Sequence, residues 1–155
     1  MKYPKALDKC GVIGVVAPSA GFTEDKFMVM CDNAKNKLES LGYEIKYSES
    51  CFNDINGRSN TSLVRAKEFK EMYLDKNIDI LISLSGGEYE MEILDNLDLD
   101  VIKNSPVKLF CGWVLCLTVL GTASLSTVTS FEPERKRIVI YLPLEPVSDI
   151  KSFPT

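Results

Sequence analysis

The 155-residue chain contains no histidine. That absence removes the side chain most often used as a general base, the ordinary Ser-His and Cys-His pairs, and most zinc chemistry. Cysteine is present without a pattern: Cys10, Cys31, Cys51, Cys111 and Cys116 are scattered, odd in number, and include no CxxC. Zinc cages need close pairs and small disulfide scaffolds show even counts, so these read as reduced thiols of a cytoplasmic protein, with no metal. Long apolar runs are missing too. Val114–Leu120 is far shorter than the roughly 20 residues that span a bilayer. The opening MKYPKALDKCGVIGVVAP has charges scattered up to Lys9 and no apolar core ending in small residues, so it does not read as a signal peptide. No Walker sequence occurs, and Gly11 and Gly14 flank the start of an apolar run where a dinucleotide fingerprint would follow it. No cofactor is expected. An excess of positive charge is also lacking: the net charge is −4 and the pI near 5.0. A broad grip on nucleic acid is thereby excluded, and Arg135-Lys136-Arg137 reads as a solvated strand entrance.

What is present suits one globular domain, with 45% hydrophobic and 26% charged residues. Val12–Ala17 is a short β-branched run closed by Pro18 and predicts a buried strand. From Glu24 to Leu41 the apolar positions Phe27, Cys31, Ala34, Leu38 and Leu41 recur at helical spacing, and Gly42 stops them. Tyr43–Ser48 predicts a second strand and Glu49–Thr61 a polar loop. Leu63–Tyr73 predicts a helix through Ala66, Phe69, Met72 and Tyr73, and Ile78–Leu84 a third strand. A third helix is expected with Met91, Leu94 and Leu97 on one face, then a short piece around Val101-Ile102, then a fourth strand over Pro106–Cys111. Helical connections of this length favour parallel strands with right-handed crossovers. The expectation is an α/β, flavodoxin-like layered domain with a mainly parallel sheet over residues 1–120. A divergent, irregular or β-containing tail would follow over 121–155, where GTASLSTVTS carries no helical stripe and RKRIVIYL reads as one strand.

In such sheets ligands sit beyond the carboxyl ends of the strands. Pro18-Ser19-Ala20-Gly21, Ser85-Gly86-Gly87 and the segment after Gly112 would gather there. Adjacent glycines can present backbone N–H groups to a ligand oxygen, or simply make a tight turn. Arg58 and Arg65 can fork a carboxylate, or lie in solvent. Glu88, Glu90, Glu92 and Asp95 read as a solvated helix face.

Taken together, PKALDKCGVIGVVAPSAG, ESLGYEI and NGRSNTSLVRAKEFKEMYLDKNIDILISLSGGEYEMEILDNLDLDVIKNSPVKLFCGW, over residues 4–113, resemble the LD-carboxypeptidases, including the microcin-immunity type of serine peptidase. The resemblance implies hydrolysis, without metal, of an amide bond between an L- and a D-centre in murein peptides or related antibiotics. It further implies a serine on an elbow after the fourth strand, with a glutamate and a histidine supplied by a C-terminal domain. Gly86 and Gly87 match the oxyanion-side loop, and Gly112-Trp113 match the two residues before the nucleophile. At the nucleophile position stands Val114, followed by Leu115 where the family has aspartate, and Thr118 lies one position late. Cys116 is the nearest alternative nucleophile, but it stands in hydrocarbon with no histidine to activate it.

The reading is therefore a truncated relative of a serine LD-carboxypeptidase, inactive alone, with ligand-binding candidates Gly86, Gly87, Gly112, Trp113 and Ser19. The abrupt change after Trp113 is consistent with local alteration of the gene. Two alternatives stand beside it. One is a non-catalytic module that binds a peptide carboxylate; the other is an interaction protein that forms homo-oligomers through exposed apolar surface.

Overall fold

The computed structural model describes residues 4–113 and the strands at 127–130 and 137–141. Its first strand, β1 (Val12–Val16), leads to helix α1 (Asp25–Ser40) and strand β2 (Glu44–Tyr47). A short 3₁₀ turn at Glu49–Phe52 precedes helix α2 (Ser62–Leu74) and strand β3 (Ile80–Ser83). A longer 3₁₀ helix, Glu88–Asn96, and the short helix α3 (Leu99–Lys103) then lead to β4 (Leu109–Trp113). Two further strands, β5 (Thr127–Ser130) and β6 (Arg137–Tyr141), fall in the predicted tail.

These form a six-stranded sheet in the order β2-β1-β3-β4-β6-β5. The first four strands are parallel; β6 pairs antiparallel with β4 and with β5. The α/β layered class expected from the repeating strand–helix pattern is what forms. Both tail strands attach to the same sheet.

Period-two alternation along β1 sends Ile13 and Val15 to one face and Val16 to the other. On the first face they join Ala17, Ile45, Cys51 and Ile80, with Leu38 of α1 packed against them. On the second, Val16 and Leu81 meet Ala66, Phe69 and Tyr73 of α2, with Ile93, Ile102 and Phe110. Phe69 lies edge-on to Phe110 at 5.3 Å between centroids. Thr61 caps α2, its hydroxyl accepting from Val64 N at 3.4 Å. At the other end of α2, Lys108 Nζ donates to the carbonyls of Met72 (3.3 Å) and Asp75, where the helix dipole favours a cation. Burial pushes the Lys108 ammonium below its ordinary value, with Asp75 and Asp79 opposing.

Two local expectations change. The segment after Gly87 is a 3₁₀ helix, whose three-residue repeat puts Glu90 and Ile93 on the buried face and leaves Met91 exposed. In α1, Cys31 is the buried position; Ala34 and Leu41 face solvent. Among the described residues no helix is long and apolar enough to cross a membrane.

Candidate functional site at the strand ends

Register places the exits of three central strands together. Val16 pairs with Ser83, and Ile82 with Cys111, so Gly112 follows at the level where β1 and β3 end. After β1 the chain sinks: Ala17, Pro18 and Ser19 are all buried. Ser59 fixes this descent twice, donating from its N–H to Ser19 O (2.9 Å) and from its hydroxyl to Ala17 O (2.6 Å). The loop after β3 is tied to the same segment. Leu84 N donates to Val16 O at 2.7 Å, and Ser85 Oγ donates to Ala20 O at 2.7 Å.

Gly87 has φ 149° and ψ 166°, a conformation reserved almost wholly for glycine. A Cβ there would collide with Ser19 Oγ. The two loops thus touch backbone to side chain, and only a missing side chain allows it. Ser19 is fully buried, and among the described residues its hydroxyl has no hydrogen-bond partner. Gly21 makes a second close approach: a Cβ would run into the carbonyls of Ser50, Cys51 and Asn53.

Beneath the loops lies a charged cluster of Arg58 and Arg65, for which the sequence left a carboxylate fork or solvent open, and Glu92, which it read as part of a solvated face. The Arg65 side chain has no exposed surface. Its Nε donates to Asn60 O at 2.8 Å, one terminal nitrogen donates to Pro18 O and to Tyr89 O (2.7 Å), and the other meets Glu92 Oε2 at 2.5 Å. Arg58 binds the same carboxylate, with Nε at 3.0 and 3.2 Å and Nη2 at 2.8 Å, and its guanidinium lies 3.7 Å over the Tyr89 ring. Glu92, about 37% exposed, is held near pKa 2, first by the Arg58 hydrogen bonds and then by Arg65. A signal for this existed. Arg65 shares the i, i+4, i+8 stripe of Phe69 and Tyr73, so helical geometry alone turns it inward.

The thiols of Cys31, Cys51 and Cys111 are not activated. Burial pushes Cys51 up to about 11, its Sγ 3.3 Å from Val15 O, and burial raises Cys31 and Cys111 as well. Among the described residues no group of three or more His, Cys, Asp or Glu side chains could hold a metal ion. A cleft of about 380 Å³ runs beside the edge strand β2, lined by Lys46, Glu49, Lys67, Glu68, Glu71 and Asp75 among others. Ser19, Gly86 and Gly87 are not among its lining residues.

Of the residues singled out from sequence, the structure brings Ser19 and Gly87 into contact, with Gly86 beside them. It also sets Gly112 and Trp113 as the last two residues of β4. Val114 and Cys116 lie outside the described residues.

The mainly parallel sheet with its buried strand-end loops defines an α/β layer domain, with the candidate site at the carboxyl edge. The chain belongs to the LD-carboxypeptidase N-terminal domain family, whose profile matches residues 13–124. A Bacillus subtilis protein named as a probable murein peptide carboxypeptidase is 29% identical over 120 residues, covering 77% of this chain and 36% of its own length. A Vibrio cholerae protein that carries a carboxypeptidase name is 26% identical over 138 residues, covering 86% and 40%. The chain thus spans about two fifths of the length of these relatives. Among solved structures, MccF in complex with glutamyl sulfamoyl guanosine superposes with a TM-score of 0.72 over 86% of this chain and 43% of that one. At 21% identity this likeness is one of fold.

Proposed function

We propose that this chain provides the glycine-loop side of an LD-carboxypeptidase site, receives a peptide carboxylate or carbonyl there, and does not hydrolyse the peptide by itself. The observation that carries this reading is the pairing of an intact strand-end floor with hydrocarbon at position 114. The Gly86–Gly87 turn can present backbone N–H groups to a ligand oxygen, which is what an oxyanion site needs. Acyl transfer also needs a nucleophile and a base within hydrogen-bond reach. Val114 supplies no nucleophile, and no histidine exists in the 155 residues to act as base. The scattered cysteines, odd in number and without a CxxC pair, support a reducing, cytoplasmic setting.

The test is calorimetric titration with an L,D-tetrapeptide ending in D-alanine. Saturable binding is expected. No heat at millimolar peptide would contradict the binding half of the proposal.

A second reading has one observation of its own. Met28, Val29 and Met30 are consecutive and exposed on α1, by 40%, 57% and 63%. An oligomer that covers these side chains would appear as a mass that rises with concentration in sedimentation, and would fall apart in Val29→Lys.

A further inference from the structure

We infer that Arg65 is the positioning residue of the strand-end site: its guanidinium sets the spacing between the Ser19 loop and the Gly86–Gly87 loop. Pro18, whose carbonyl it holds, is the neighbour of Ser19; Tyr89, whose carbonyl it holds through the same nitrogen, lies two residues beyond Gly87. One planar group therefore spans the two segments that meet at Ser19 Oγ and the Gly87 backbone. Its Nε fixes a third, at Asn60 O (2.8 Å), next to Ser59, which itself holds Ala17 and Ser19. Glu92 orients the far side of the fork at 2.5 Å.

A lysine cannot replace this. Its single ammonium is a point donor on a flexible stem, whereas the guanidinium presents donors in a fixed plane. Arg58 supplies the internal control: it shares Glu92, carries the same charge and lies over the Tyr89 ring, while its side-chain hydrogen bonds go to that carboxylate and not to the β1 loop. If the cluster acted only through charge, the two arginines would be interchangeable. The contacts say that they are not.

The consequence for function rests on the proposed carboxylate site, but the spacing itself can be read without ligand. Amide hydrogen exchange is compared in the unaltered protein, Arg65→Lys and Arg58→Lys. Arg65→Lys is expected to speed exchange at least tenfold at the loop amides that donate hydrogen bonds, Phe22, Ser59, Leu84 and Glu90, while amides of β1 and β3 away from the loops keep their rates. Arg58→Lys is expected to leave both loops protected. Methylguanidinium added to Arg65→Ala should restore protection, and methylammonium should not. Should Arg65→Ala fail to fold, the lysine variant alone decides. Uniform acceleration across the sheet in Arg65→Lys, or equal loosening by the two arginine variants, would overturn the positioning role.

Titration with the tetrapeptide separates the two claims. Selective loosening in Arg65→Lys with at least tenfold weaker binding supports both. Selective loosening with no binding by the unaltered chain leaves the positioning role standing and removes the proposed function.

Discussion

Gly87 and Ser19 are the residues on which the geometry of the loops turns. Gly87→Ala must accept both a left-handed-side φ of 149° and a collision with Ser19 Oγ. We expect a loss of about 1–3 kcal/mol in urea unfolding, the usual cost of such backbone strain. The double variant Ser19→Gly/Gly87→Ala should recover only the part due to the collision; full recovery would mean that φ carries no cost. Glu92 gives a second prediction, with its sign fixed by linkage. Its carboxyl lies at about 2 in the folded chain against an ordinary 4.5, so the folded state resists its protonation. The stabilisation from its two arginines is therefore complete above pH 4.5 and is lost as pH falls from there toward 2. The urea midpoint of Glu92→Gln should lie below that of the unaltered protein at pH 7, with the gap closing over that acid range. A gap unchanged down to pH 2.5 would contradict the pairing.

At the scale of elements, the strands were largely legible because buried β-branched runs closed by Pro or Gly have few other readings. Val12–Val16 and Ile80–Ser83 fall inside the predicted spans, and β4 moves toward Trp113 from the expected Pro106–Cys111. The segment Glu88–Asn96 was misread in kind, since three- and four-residue spacings overlap over so short a stretch and the sequence does not say which buries Ile93. The partners of Arg65 were not legible for a different reason. Helical phase placed it inward, but its partners are carbonyls of Pro18, Asn60 and Tyr89, and no pattern of residue types announces a backbone acceptor. Phe110 shows how the elements hold together. It is 1% exposed and meets Phe69 across the sheet–α2 interface. Phe110→Ala is expected to cost about 3–5 kcal/mol in urea unfolding, as for other large-to-small core changes. A loss below 1 kcal/mol would mean that the interface closes over the cavity.

At the scale of the whole molecule, the family match runs to residue 124, past the point where the text changes character, and β6 pairs along β4 as far as Trp113. The sheet ends, the glycine loop and Arg65 lie together at one edge, where the proposed site stands. The proposal turns on the end of β4, where Val114 stands at the position that the family resemblance assigns to the nucleophile. The most direct test incubates the L,D-tetrapeptide with the purified 155-residue chain and, in parallel, with Val114→Ser, and measures released D-alanine. The account predicts release at the uncatalysed rate from both, because a serine alone gains no base. Turnover by the unaltered chain would contradict it, since a nucleophile and a base would then exist where the sequence places valine and no histidine.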